Sequence, residues 1–240
     1  MLKNNTGYDL KQWFIGSEDQ LSAFELMWED FYSLALEWTG EAPPFQIVHP
    51  FTLIAEIDGQ DEQALVEELQ LALEPAMEEG QVLDAVFAQS QAQAAALWRI
   101  REAASELPAR LQAINFDISL PIDLIGEFAE RCARALSEKW PRQRSARFGH
   151  LGDGNLHLTV DARSLGNIAF DEAKKQVEGI VYRLLANAGG SVSAEHGIGL
   201  HKKSYLAMSR TPAELACMQA IKRTLDPLNL LNPGKIFDQA

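Results

Sequence analysis

The sequence is poor in cysteine, in positive charge and in long apolar runs. Its two cysteines, Cys132 and Cys217, fall in helix-like segments without the spacing of a metal site, so we predict free, buried thiols. Lysine and arginine number 21 against 34 acidic residues, a net charge of -13, which argues against DNA, RNA or an anionic membrane as a partner. A negative mean charge still permits an anionic small substrate beside a local arginine or a metal ion.

Membrane and export signals are missing as well. No run approaches the roughly 20 apolar residues that span a bilayer, and the first five residues hold no apolar core of a signal peptide. We therefore predict no membrane span and a cytoplasmic location. With 47% hydrophobic and 23% charged residues over 240 positions, the composition is that of a globular protein with a substantial core.

Apolar periodicity predicts a mixture of helices and strands after an irregular segment over residues 1–20. Helices are predicted over 21–38 (ending at Gly40), 65–77 (with a break near Pro75), 90–107, 121–140, 177–185 and 212–225. Strands are predicted over 51–57, 82–87 and 114–120, and a short extended run over 191–199 enters a glycine-rich bend.

The strand over 114–120 alternates without a fault. Its even-numbered residues are apolar, whereas Asn115, Asp117 and Ser119 share the opposite face. One face is therefore buried, and the other is free to carry a site. Together the patterns predict an α+β fold, in which helices cover one face of an antiparallel sheet.

Residues 148–160 predict a β-hairpin that carries two histidines. Four turn-forming residues, Gly152 to Asn155, separate two runs of strand character. If Leu151 pairs with Leu156, His150 lies opposite His157, and both imidazoles project from one face with Cβ atoms roughly 4.5 to 5.5 Å apart. That spacing allows both to bind one metal ion. The alternative is a pair of half-buried histidines hydrogen-bonded to the backbone.

Glu195 and His196 follow the hairpin in the extended run. Because adjacent side chains of an extended segment point to opposite sides, Glu195 is placed to complete a His, His, Glu metal site while His196 faces a neighbouring pocket. Three protein ligands leave coordination positions open, as in catalytic metal sites. Alternatively, Glu195 is a helix-start carboxylate or half of an ion pair.

Arg101 and Ser105 are four residues apart on the predicted helix over 90–107 and share one face of it. Arginine is suited to holding a carboxylate through two hydrogen bonds, although an exposed, unpaired arginine is the alternative. Asp153 and Asn155 are either plain turn residues or supports for the two histidines.

Several motifs resemble a known family. They are Gly149–His157 (GHLGDGNLH), Glu195–Gly199 (EHGIG), Trp98–Glu102, Phe116–Pro121 and the tail from Asp226 through Asn232-Pro233-Gly234-Lys235-Ile236. They are similar to the C-terminal half of FAD-linked 2-hydroxy-acid dehydrogenases, a group with D-2-hydroxyglutarate dehydrogenase, flavin-dependent D-lactate dehydrogenase and the D subunit of glycolate oxidase. The resemblance implies a ferredoxin-like cap domain that holds a small 2-hydroxy acid against FAD, and a separate N-terminal domain that binds most of the FAD.

The resemblance also assigns roles to individual residues. It implies that His150, His157 and Glu195 hold a divalent metal, commonly zinc, and that His196 is the catalytic base. It implies substrate binding by Arg101, Ser105 and Asn115, and flavin contact by Asn155, Asn232 and Lys235.

The chain departs from the family pattern in three places. Residues 1–20 resemble the end of the flavin domain, residues 21–225 resemble the cap domain, and residues 226–240 resemble the tail that returns to the flavin. The first departure is that Asp19-Gln20-Leu21-Ser22 replaces the usual Gly-Thr-Leu-Gly continuation. We therefore expect a separate flavin-binding domain or chain to bind most of the FAD. Asn115 stands where the family often has lysine, and Thr159 where it often has asparagine.

The resemblance thus implies the substrate- and metal-binding C-terminal portion of an FAD-dependent oxidoreductase that converts a D-2-hydroxy acid to the 2-oxo acid. A homodimer is one assembly that it allows. One alternative is a catalytically inactive cap-fold fragment or binding module without its own FAD. Another is a metal-dependent hydrolase with the same three ligands, although the sequence offers neither a dedicated nucleophile nor the helical His-Glu-x-x-His spacing.

Overall fold

A computed structural model describes residues 21–238 of the chain, and the predicted irregular segment over 1–20 lies outside them. The chain divides into two units, one that ends at Ala104 and one that begins at Ser105. All strand pairings within each unit are antiparallel, which confirms the predicted α+β class. Among the described residues, no helix is both long and apolar enough to cross a membrane.

Over its described residues, 21–104, the first unit contains one strand pair and three helices. Strand β1 (Leu21–Trp28) pairs with β2 (Phe51–Ile57), and the helices are α1 (Glu29–Thr39), α2 (Glu62–Glu78) and α3 (Gln91–Glu102). As predicted, α1 ends at Gly40, whose φ of 68° places it in the left-handed region that favours glycine. The fully buried side chains of this unit include Met27, Phe31 and Ile100.

The predicted helix over 21–38 is wrong in its first eight residues. They form β1, whose register runs from Leu21 opposite Ile57 to Trp28 opposite Phe51. The spacing of Phe24, Met27 and Phe31 fits a helix, but pairing with β2 outweighs this local preference, because strand formation depends on a partner outside the local sequence.

Two other predictions in this unit need correction. The strand predicted over 82–87 is irregular, because Val82 N–H closes the end of α2 by donating to Ala76 O, and the side chains of Leu83 and Val86 are exposed. The helix predicted over 90–107 ends at Glu102 and continues as a 3₁₀ turn, Ala103–Glu106. Pro108 accounts for this break, since proline has no N–H to continue an α-helix and instead opens the next one.

The second unit contains a three-stranded sheet in the order β4, β5, β3. Its elements are α4 (Leu107–Arg110), β3 (Ala113–Ser119), α5 (Ile122–Lys139), β4 (Ser145–His150), β5 (Asn155–Asp161), α6 (Phe170–Asn187) and α7 (Pro212–Leu225). Short 3₁₀ turns lie at Leu151–Asp153, Ala162–Leu165 and Lys203–Met208. Strand β3 and helices α5 and α7 match their predictions closely, whereas α6 begins seven residues before the helix predicted over 177–185.

Helices cover one face of this sheet, as the alternation in β3 predicts. Ile114, Phe116 and Ile118 are each at most 2% exposed, and the Phe116 ring meets Tyr182 of α6 edge to face at 5.3 Å. Asn115, Asp117 and Ser119 project from the opposite face. Cys132 of α5 is buried as predicted, but Cys217 is exposed, because none of the side chains of α7 is buried.

Candidate functional site

The hairpin β4–β5 brings two histidines to the face that the helices leave uncovered. Phe148 lies directly opposite His157, and their rings stack with centroids 4.8 Å apart. His150 is two residues beyond Phe148 and therefore shares its face. The His150 and His157 rings meet edge to face at 5.6 Å.

The predicted hairpin register is wrong by two residues. His150 is diagonal to His157 instead of opposite, because Leu151–Asp153 form a 3₁₀ turn and Asn155 already belongs to β5, so the loop begins one residue earlier than predicted. Gly149 permits this arrangement, since a Cβ there would lie 2.2 Å from the carbonyl oxygen of Asn155. The diagonal pair still presents both imidazoles on one side.

Glu195 approaches both rings. One carboxylate oxygen lies 3.7 Å from His150 Nε2, and the other lies 3.9 Å from His157 Nε2. One ligand atom from each of the three side chains lies within 4.8 Å of the other two. These N···O separations are too long for hydrogen bonds but close to the roughly 3.4 Å between two ligands of a tetrahedral zinc ion, given metal–ligand bonds of about 2.1 Å. The three side chains are therefore arranged as ligands of one cation would be.

Asp117 fixes the segment that carries Glu195. Its buried carboxylate accepts hydrogen bonds from the backbone N–H groups of Glu195 (3.1 Å) and His196 (2.8 Å), and Lys202 Nζ lies 3.3 Å from it. Sequence analysis placed Asp117 on the correct face but gave it no role. The available signal is a carboxylate in the middle of the polar face of the strand, between Asn115 and Ser119, because a carboxylate within a sheet is seldom buried without partners.

The electrostatics around Asp117 keep its carboxylate ionised. Burial alone would raise the pKa of Asp117, but the His196 N–H, the Lys202 ammonium and the Glu195 N–H outweigh burial and lower that pKa below its ordinary value. Burial also lowers the pKa of Lys202, and the negative charge of Asp117 opposes this only in part. The ammonium also donates to Ser193 Oγ at 3.1 Å and to the Asp117 carbonyl oxygen at 3.0 Å.

His196 stands at the open side of the same cluster. Its Nδ1 lies 3.5 Å from an Asp117 carboxylate oxygen, and its ring centroid is 6.1 Å from that of His157. The side chain is 68% exposed. Because Nδ1 faces Asp117, Nε2 is the ring nitrogen that points away from it and can exchange a proton with a bound molecule.

Arg101 and Ser105 lie on either side of the boundary between the units. Arg101 is buried at the end of α3, where its guanidinium forms an ion pair with Glu25 of β1 at 2.7 Å. Ser105 is exposed in the 3₁₀ turn that follows. The α-helical face predicted to carry both residues does not continue to Ser105, since α3 ends at Glu102.

Two asparagines lie on the site face of the three-stranded sheet. Asn115 accepts a hydrogen bond from Thr159 Oγ1 at 2.8 Å, and its side chain is exposed. Asn155 is only 3% exposed, yet neither its amide oxygen nor its amide nitrogen has a hydrogen-bond partner among the described residues. A buried, unpaired amide is costly, so this one is suited to a bound polar group.

The tail after α7 is held to the glycine-rich bend. Ile236 N–H donates to Gly199 O at 2.9 Å, and Lys203 Nζ donates to Gly234 O at 3.2 Å. Asn232 has a φ of 48°, a left-handed conformation that asparagine tolerates. Both Asn232 and Lys235 are exposed.

Comparison with known proteins decides the family. The model of the family described as FAD linked oxidases, C-terminal domain, matches residues 13–236. The chain belongs to this family. Its relatives include D-2-hydroxyglutarate dehydrogenases of Xanthomonas citri pv. viticola (36% identical, 99% of this chain and 59% of the relative), Stutzerimonas stutzeri (32%, 99% and 60%) and Arabidopsis thaliana, mitochondrial (32%, 98% and 49%).

The FAD-linked oxidase relatives are longer than the matching chain. The chain spans about three fifths of the two bacterial proteins and half of the plant protein. The alignment with the Xanthomonas protein runs over 283 positions, more than the 240 residues of the chain, so the aligned region of that relative includes residues with no counterpart here.

Proposed function

We propose that this chain is the substrate- and metal-binding C-terminal portion of an FAD-dependent oxidoreductase that oxidises a D-2-hydroxy acid to the 2-oxo acid. The convergence of His150, His157 and Glu195 on one point carries the proposal. Family membership and the names of the relatives support the class of reaction.

The donor set suits a divalent transition metal. Two neutral imidazole nitrogens and one carboxylate oxygen are a recurrent ligand set of catalytic zinc, and three ligands leave room for a substrate. A cation held there supplies positive charge that lowers the pKa of a coordinated hydroxyl group. The acidity of the chain as a whole does not oppose substrate binding, because the cation sets the local charge.

His196 is proposed as the base. Its exposed Nε2 takes the hydroxyl proton of the substrate, while Asp117 beside Nδ1 fixes the ring and stabilises the imidazolium that forms. The flavin supplies the acceptor for the hydride that leaves C2 of the substrate. His196 is assigned this role because it combines an exposed imidazole with a ring centroid 6.1 Å from that of His157.

The flavin contacts proposed for this chain are Asn155, Asn232 and Lys235. The unpaired amide of Asn155 supports this assignment, because an amide offers both a donor and an acceptor to a flavin ring edge. The tail that carries Asn232 and Lys235 is fixed near the glycine-rich bend by the Ile236 to Gly199 hydrogen bond. The remaining part of the FAD site is assigned to a separate flavin-binding domain or chain.

The substrate carboxylates are proposed to bind Arg101, Ser105 and Asn115. Arg101 has the planar guanidinium that matches a carboxylate, and its partner in the structure is the carboxylate of Glu25. Asn115 offers an exposed amide on the site face.

Calorimetry with the zinc-loaded chain tests the proposal. We expect D-2-hydroxyglutarate or D-lactate to bind only in the presence of zinc, because the metal must hold the carboxylate and hydroxyl together. We also expect each to bind more tightly than its L enantiomer, because side chains beside the metal contact the other substituents of C2. Equal binding of the enantiomers, or binding that does not depend on zinc, would contradict the proposed function.

A binding module without oxidoreductase activity is the second candidate. The Asn115 and Thr159 departures and the residues of relatives that lack a counterpart here favour it. A flavin absorbance spectrum of the chain, prepared together with its flavin-binding domain or chain and mixed with a D-2-hydroxy acid without oxygen, separates the two. Bleaching of bound flavin supports the oxidoreductase, and stable yellow colour with substrate bound supports the inactive module.

A further inference from the structure

We infer that Asp117 is a positioning residue, which holds Glu195 at ligand distance from the two histidines and holds His196 at the open side of the site. The inference rests on the proposed metal site. None of the roles implied by the family resemblance includes Asp117, and its own contacts carry the argument.

The first observation is the number of bonds that converge on this one carboxylate. The N–H groups of Glu195 and His196 both donate to it, Lys202 Nζ lies 3.3 Å away, and His196 Nδ1 lies 3.5 Å away. Its backbone carbonyl also accepts from Ala194 N–H at 3.2 Å. Asp117 therefore binds three successive residues of the segment that carries the carboxylate ligand.

The second observation is its place in the sheet. Asp117 pairs directly with His157 across β3 and β5, and adjacent paired residues share one face. A single side chain thus joins the strand beside one imidazole ligand to the loop that carries the carboxylate ligand. A change in the Asp117 side chain would therefore alter the distance between Glu195 and His157, while the backbone pairing of β3 with β5 keeps His157 in place.

The third observation is that the segment over 191–196 does not depend on Asp117 alone for its attachment to the sheet. The beginning of the segment is fastened independently, since Ser119 and Ser191 exchange two backbone hydrogen bonds of 3.2 and 2.8 Å. Ser191 Oγ then donates to Ser193 O. Asp117 acts only beyond this anchor, on residues 194–196 and on Lys202.

Asparagine at position 117 is the sharpest perturbation. The change keeps the size of the side chain but replaces one acceptor oxygen with an N–H donor, where the Glu195, His196 and Lys202 donors converge. We expect Asp117→Asn to weaken zinc affinity by about 10- to 100-fold, the range for residues that support metal ligands. We also expect a changed visible absorption spectrum of the cobalt-substituted protein, which a loss of global stability alone would not produce.

Asp161→Asn is the matched control. Asp161 is also buried at 3% exposure, also accepts two backbone N–H groups, from Gln112 and Arg163, and also pairs with a cation, but these partners lie outside residues 194–196. Its zinc affinity should stay within about threefold of the unsubstituted protein. Glu195→Gln serves as the loss-of-ligand reference.

The outcomes distinguish the inference from the proposed function. Zinc binding that Glu195→Gln weakens and Asp117→Asn leaves unchanged would overturn the positioning role and keep the metal site. No zinc binding by the unsubstituted chain would overturn the metal site itself. Amide hydrogen exchange of the unsubstituted chain decides the case if Asp117→Asn does not fold: we expect slower exchange at Glu195 and His196 than at Gly197, and equal rates would overturn the inference.

Discussion

Asn115 accepts a hydrogen bond from the hydroxyl of Thr159 at 2.8 Å, across directly paired positions of β3 and β5. These are the two positions at which the sequence departs from the family pattern in its site motifs. The two residues that depart from the family pattern are therefore in direct contact. The pair lies on the same face as Asp117 and His157, one pairing of that face further along the strands.

Removal of the Thr159 hydroxyl should destabilise the second unit. Thr159 is buried, so Thr159→Val loses a hydrogen bond and should lower the free energy of unfolding by about 1 kcal/mol. Thr52→Val is the control, because the buried hydroxyl of Thr52 has no partner among the described residues, and its loss should be neutral or stabilising. Urea unfolding measures the free energy of unfolding of both variants. Equal destabilisation would show that the 2.8 Å contact contributes nothing.

The hairpin depends on the absence of a side chain at Gly149. A Cβ there would meet the Asn155 carbonyl at 2.2 Å, so Gly149→Ala should destabilise the fold by roughly 2 kcal/mol or more and weaken zinc binding by displacing His150. Gly152→Ala should be close to neutral, because a Cβ at Gly152 would have nothing within 4 Å and the φ of this glycine is not in the left-handed region. Thermal unfolding and zinc titration of both variants test this, and unchanged behaviour of Gly149→Ala would refute the close approach.

Arg101 is expected to serve both stability and substrate binding. Loss of one partner of a buried ion pair costs about 3 to 5 kcal/mol, so Arg101→Met alone should be strongly destabilising. Joint replacement of Arg101 and Glu25 with methionine should recover most of the stability, since no unpaired charge remains. Substrate affinity should stay low in the double variant. If affinity recovers together with stability, Arg101 has only a structural role.

Acid unfolding should report on Asp117. Its pKa in the folded chain is below the ordinary 3.8, so the folded state binds fewer protons than the unfolded state near that pH. Asp117 therefore contributes stability above about pH 4, and this contribution is lost as the pH falls through the lower folded pKa. Stability of Asp117→Asn should fall less steeply between about pH 5 and pH 3 than that of the unsubstituted protein. Parallel pH profiles would contradict the direction of this shift.

The sequence predicts which side chains share the site face better than it predicts the register and bounds of the surrounding strands. Short local signals, such as the alternation in β3 and the glycines of the hairpin, are sufficient to place His150 and His157 on one face. The register fails because it depends on where the loop begins, which turn residues alone do not fix. Strand β1 is not predicted because its paired residues in β2 follow it by 23 to 36 positions, and the local sequence shows only helical spacing.

The role of Asp117 depends on contacts with residues far away in the sequence, which no local pattern predicts. Its partners Glu195, His196 and Lys202 follow it by 78 to 85 residues. The alternation gives only the direction in which Asp117 points. The same limit applies to the ion pair of Arg101 with Glu25, whose partners are 76 residues apart.

Zinc titration tests the central claim of one cation bound by His150, His157 and Glu195 most directly. Isothermal calorimetry of the unsubstituted chain should show one zinc ion per chain, and His157→Ala should abolish this binding. His201→Ala should bind zinc as the unsubstituted chain does, because His201 is an exposed histidine of the same unit outside the three-residue cluster. Absence of stoichiometric binding, or equal binding by His157→Ala and the unsubstituted chain, would contradict the account.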